Sequence, residues 1–85
     1  MSQIELLNCK LSQLIRTAME THNLDCHKLS LVIKIHPSGI TRIQNNTCFV
    51  PVRLLYKLMS ALKLDEYGIY LTTRYEIERF LELDL

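Results

Sequence analysis

Apolar residues return at three- and four-residue steps through the first two thirds of the chain. Ile4, Leu7, Leu11, Leu14, Ile15, Ala18 and Met19 fall on one face of a helix. Ser2 precedes them with Glu5 three positions later, the capping-box spacing that satisfies backbone N–H groups at a helix start. His22-Asn23 closes this helix, since asparagine tolerates the left-handed conformation a helix end requires. Asp25 caps a second, short helix with Leu29, Val32 and Ile33 as its apolar stripe, and the pattern stops near Lys34. His36 caps a third helix and Pro37 takes its first position, where a missing N–H costs nothing. Ile40 and Ile43 face inward there, and Asn45-Asn46 ends it with residues that accept positive φ. Pro51 opens a fourth helix, whose buried face is Val52, Leu55, Leu58, Met59 and Leu62.

After Leu64 the pattern changes. Glu66 to Thr72 is rich in aromatic and β-branched residues and reads as a short strand. Beyond it, Thr73 and Glu76 repeat the capping-box spacing, and Ile77, Phe80 and Leu81 recur helically. Tyr75, Ile77, Leu81, Leu83 and Leu85 also fit an alternating pattern. A short final helix is the preferred reading. The expectation is a mostly α chain: four core helices over residues 1–64, then a strand and a short helix over 65–85.

Eighty-five residues make one domain with a small core, which a dimer contact would help to stabilise. A hydrophobic share of 48% argues against disorder. No apolar run approaches the roughly 18–20 residues needed to span a bilayer. The start, MSQIELLNCK, lacks the charged and apolar regions of a signal peptide. Cys9, Cys26 and Cys48 are odd in number and scattered, which suits reduced thiols in a cytoplasmic chain.

The net charge of +1 conceals an asymmetry. Residues 1–64 carry eight Lys/Arg against three Asp/Glu, a net of +5, and residues 65–85 carry two against six, a net of −4. A basic body with an acidic tail permits a polyanion-binding face with the tail turned elsewhere.

Enzyme chemistry and cofactors are not expected. Cys26 and His27 are adjacent, so on a helix they point about 100° apart and do not form a nucleophile–base pair. Two glycines leave no phosphate-binding loop. His22, Cys26, His27 and His36 have no zinc-finger spacing, and His36 is better used as a helix cap.

Two short helices joined by a tight turn behind a long first helix make a helix-turn-helix, whose second helix has the width of a DNA major groove. At Leu24, Ser30, Ile40 and Ile43, and in the closing segment LLYKLMSALKL (Leu54–Leu64), the chain resembles the Cro- and phage-repressor-like helix-turn-helix proteins, the XRE family. The resemblance covers roughly residues 11–64. It implies a lambda-repressor-like domain in which Leu24 opens helix two, Ser30 is its small central residue, and Ile40 and Ile43 anchor the recognition helix. The chain departs from the family in three places. Asp25-Cys26 stand where the family has Thr/Ser-Gln, Lys34 stands where the turn usually holds glycine, and Pro37 and Gly39 fall among the base-reading positions.

The resemblance implies a dimeric, sequence-specific transcriptional regulator, most often a repressor. Its operator would be a palindrome with half-sites roughly 34–36 Å apart. Arg42 is the expected base reader, because its fork pairs with guanine O6 and N7. Ser38 and Thr41 add hydroxyls, and Lys28, Lys34 and Asn45 suit phosphates. The strand-like segment with Tyr67, Ile69, Tyr70 and Leu71 resembles the C-terminal strand by which HipB-type antitoxins pair with their dimer mates. That likeness implies a homodimer contact there, and a toxin protein as a further partner. The competing expectation is a helix-turn-helix scaffold that binds protein and no operator.

Overall fold

The computed structural model describes residues 2–83. Met1, Asp84 and Leu85 lie outside the described residues, including the end of the alternating reading of residues 75–85. Five helices follow in order: α1 (Gln3–Thr21), α2 (Cys26–Ile33), α3 (Pro37–Gln44), α4 (Val52–Leu62) and α5 (Glu66–Leu83). No helix among the described residues is long and apolar enough to cross a membrane.

The first four helices begin where the caps place them. Ser2 Oγ accepts from the Glu5 N–H at 3.2 Å, and Asp25 Oδ1 accepts from the Lys28 N–H at 2.7 Å. His36 Nδ1 accepts from the Ser38 N–H at 3.1 Å, with Pro37 in the first turn. Pro51 precedes α4 without a side-chain cap bond. The helix ends are sharp because four residues adopt the left-handed conformation: Asn23, Lys34, Asn46 and Lys63. Two are asparagines, for which this conformation is cheap, and two are lysines, for which it costs about 1–2 kcal/mol.

The C-terminal strand expected over Glu66–Thr72 is not present, and no strand occurs among the described residues. Those residues open α5 instead. Asp65 supplies the start: its Oδ1 accepts from the Gly68 N–H at 2.8 Å, and its carbonyl accepts from the Ile69 N–H at 2.9 Å. Gly68, Leu71, Thr72 and Tyr75 then fall on one side and are buried. Tertiary burial at this spacing outweighs the β propensity of Tyr, Ile and Thr, which is a weak local preference. Thr73, expected to cap a separate helix, is in mid-helix and exposed.

One buried cluster joins all five helices, with Leu11, Ile15, Leu29, Ile40, Leu58 and Tyr75 among its members. α5 lies along α1 and touches α4, while α2 packs on α3 and α4. The α1–α5 approach is close at Gly68, where an added Cβ would meet Leu64 Cβ at 2.8 Å and Leu14 Cδ2 at 3.0 Å. Leu64 Cβ is anchored to backbone and cannot swing away. Gly68→Ala is therefore expected to destabilise the chain by roughly 1–3 kcal/mol through overpacking, despite the better helix propensity of alanine. Urea denaturation measures it, and a more stable variant would contradict this packing.

Candidate nucleic-acid interface

Ile40 and Ile43 set the orientation of α3. Both are buried, so at 100° per residue Ser38, Thr41, Arg42 and Asn45 gather on the opposite side, and all four are exposed. The supports behind them come from three elements. Cys26 Sγ, in the first turn of α2, donates to Gln44 Oε1 at 2.9 Å, and Gln44 Nε2 lies 3.4 Å from Met19 Sδ of α1. At the far end the Arg42 carbonyl accepts from both Thr47 N and Thr47 Oγ1, at 3.0 and 3.1 Å. The C-terminal half of α3, which carries Arg42, is thereby tied to α1, α2 and the following loop.

The four side chains on this face are not equally free. Ser38 Oγ sits 2.8 Å from His36 Nδ1, so its hydroxyl is drawn into the cap. Thr41 Oγ1 donates to the Pro37 carbonyl at 3.2 Å and lies 3.7 Å from Cys26 Sγ. It retains acceptor capacity on its outer side. The Arg42 guanidinium has no ion-pair or hydrogen-bond partner among the described residues. Asn45 terminates α3, with its backbone N–H on the Thr41 carbonyl at 2.9 Å.

Lys28 and Lys34 are both exposed and both belong to the α2 side of the pair. Three residues, Lys34 to His36, join α2 to α3. The left-handed turn at Lys34 brings the Ile35 N–H to the Ser30 carbonyl at 3.2 Å. Lys34 also lines a shallow groove between α2 and α4 with Val32, Tyr56 and Lys57. Of the segment expected to form the dimer contact, Tyr67, Ile69 and Tyr70 are exposed on α5. Leu71 is in the core, 3% exposed, so it cannot be part of a surface contact.

The charge distribution sharpens once the helices are placed. From Cys26 to Leu64 the chain carries six Lys/Arg and no Asp or Glu. That stretch is α2, α3, α4 and their connections. The carboxylates belong to α1, to Asp25 and to the stretch from Asp65 onward. α3 packs on α1 and α2 and not on α5, so the acidic helix is away from the Arg42 face.

A buried polar network holds the loop between α3 and α4. Asn8, 4% exposed in α1, donates through Nδ2 to Asn46 Oδ1 and to the Cys48 carbonyl, and its Oδ1 accepts from the Val50 N–H at 3.3 Å. Tyr75 Oη also accepts from Val50 N–H, at 3.1 Å, and from Arg79 Nη1 at 3.0 Å. Sequence reasoning missed this network. Its one signal is Asn8 itself, a polar residue beside the apolar stripe of α1.

No family model matches the chain, and no curated protein or solved structure matches it.

Proposed function

We propose that α2 and α3 act as a helix-turn-helix and that the chain is a sequence-specific, duplex-DNA-binding regulator working as a pair of copies. One observation carries the reading. The exposed face of α3 presents an arginine with no partner among the described residues, within a stretch of six basic and no acidic residues. Arg42 reads a base edge, and a guanine pair suits its fork. Lys28, Lys34 and Asn45 contact phosphates and set register without reading sequence. Ser38 and Thr41 are secondary, because both hydroxyls already have partners within α3 or its cap. Repression, and autoregulation of an operon that also encodes a toxin, are the narrower roles implied by the resemblance to XRE and HipB-type proteins.

A second reading has an observation of its own. Val32 on α2 and Tyr56 on α4 are exposed beside Lys34 and Lys57, with Leu31 also exposed on α2, an apolar surface suited to protein rather than DNA. Selection from a random-sequence duplex pool separates the two. Enrichment of a two-fold-symmetric sequence supports the operator reading. No duplex retained above background at low salt favours the protein-binding one.

A further inference from the structure

α5 has a second apolar face. Gly68, Leu71, Thr72 and Tyr75 turn inward, and on the opposite side Tyr70, Thr73, Ile77 and Phe80 recur at steps of three and four. That is the seam spacing of paired helices. Tyr70, Ile77, Phe80 and Leu81 are 54%, 55%, 68% and 55% exposed. A helix that is apolar on two opposed faces has room for neighbours on both, and α1 and α4 occupy one.

The surface continues onto α4. Val52 and Tyr56 line a groove of about 360 Å³ with Ile77, Phe80 and Leu81. Glu76 lines it too, and its Oε1 is shielded from water without a hydrogen-bond partner among the described residues. A groove beside a protruding Phe80 is an arrangement that a two-fold axis makes self-complementary.

We propose that this outward face of α5, with the edge of α4, seats the same face of a second copy of the chain. Area supports a stable contact. Five side chains (Tyr56, Tyr70, Ile77, Phe80, Leu81) leave on the order of 600 Å² uncovered, taking 150–250 Å² for each large side chain. A standard interface buries about 800 Å² per partner, and the polar rim supplies the remainder. The choice of a second copy over an unrelated helix rests on the DNA reading, which needs two recognition helices. α5 does not pack on α3, so pairing through α5 leaves both Arg42 faces open.

Sedimentation equilibrium of the full chain without DNA tests it. The expected mass is twice 10.0 kDa. Ile77→Glu and Phe80→Glu should each return it to 10.0 kDa with the helical circular dichroism retained. Gln13→Glu, an equal charge change on the exposed side of α1, should leave the dimer intact. Amide chemical shifts of labelled wild-type chain should change on dilution along residues 70–81 and at Val52 and Tyr56, a readout that needs no variant to fold. A monomer across the micromolar range overturns the proposal, as does a dimer untouched by both substitutions, or dilution shifts centred on Leu31 and Val32. A monomer that still binds DNA removes this interface and leaves the DNA reading standing. A dimer that binds no DNA does the reverse.

Discussion

Tyr75→Ala is expected to destabilise the chain by roughly 3–5 kcal/mol, the cost of truncating a large buried aromatic side chain. Domain stabilities are commonly about 5–15 kcal/mol, so this loss is a large fraction of the total. Tyr75 is fully buried, and its ring fills the space between α5 and the rest of the core. Its hydroxyl joins α5 to the α3–α4 loop through the Val50 N–H. Tyr75→Phe keeps the ring and loses both that bond and the one from Arg79, whose half-buried guanidinium can turn to water. Val50 N–H retains Asn8 Oδ1, so the expected cost is only about 1 kcal/mol. Urea denaturation of both variants measures the difference. A Tyr75→Ala chain within about 1 kcal/mol of wild type would contradict the α5 packing.

The same hydroxyl gives a pH signature. Burial pushes Tyr75 above the ordinary tyrosine value of 10.0, and the neighbouring Arg79 opposes that shift without cancelling it. The unfolded chain therefore gives up this proton at lower pH than the folded one. The stability involved is fully present below the ordinary value and is lost as pH rises through the folded value. Tyr75→Phe should flatten the alkaline fall in stability, although it starts from a less stable protein.

Arg42→Ala is expected to weaken binding to the selected operator by roughly 1–3 kcal/mol per half-site and to relax preference at one base pair in each. The Thr47 contacts to the Arg42 carbonyl hold its backbone, and nothing among the described residues holds its guanidinium. An unpaired guanidinium on a fixed helix has no internal bond to break on meeting a base. Lys28→Ala should instead weaken operator and random duplex alike, since a phosphate contact carries no sequence information. The check is a pair of titrations for each variant, one with operator and one with random duplex. Equal loss on both duplexes for Arg42→Ala would assign it to the backbone and leave base reading to another residue.

Most of the fold through Leu64 was legible because its signals are local. Ser2, Asp25 and His36 accept backbone N–H bonds where their types and spacing predict, and Asn23 and Asn46 take the left-handed turns. α5 was not legible for a physical reason. Tyr67, Ile69, Tyr70 and Leu71 form a nearly continuous apolar run because the helix carries apolar residues on two faces, which blurs its period. Only contact with α1 shows that Leu71 and Tyr75 share the inward side. At the candidate interface, Ile40 and Ile43 fixed which residues face out. What they do there depends on distances. That the Ser38 hydroxyl turns to His36 and the Thr41 hydroxyl to Pro37 follows from rotamers, and residue order does not encode it. The Asn8 network joins residues 38 to 42 positions apart, beyond the reach of any local pattern.

The most direct test of the central claim is the salt dependence of duplex binding by the wild-type chain. Lysines 28 and 34 from two copies would neutralise four phosphates, so log affinity should fall against log salt with a slope of roughly −3 to −4. Fluorescence anisotropy of a labelled duplex, titrated at several salt concentrations, measures that slope. A slope in this range, steeper for wild type than for Lys28→Ala, is the predicted result. No binding at the lowest salt, or binding that does not change with salt, would contradict a DNA-binding role for the α2–α3 pair.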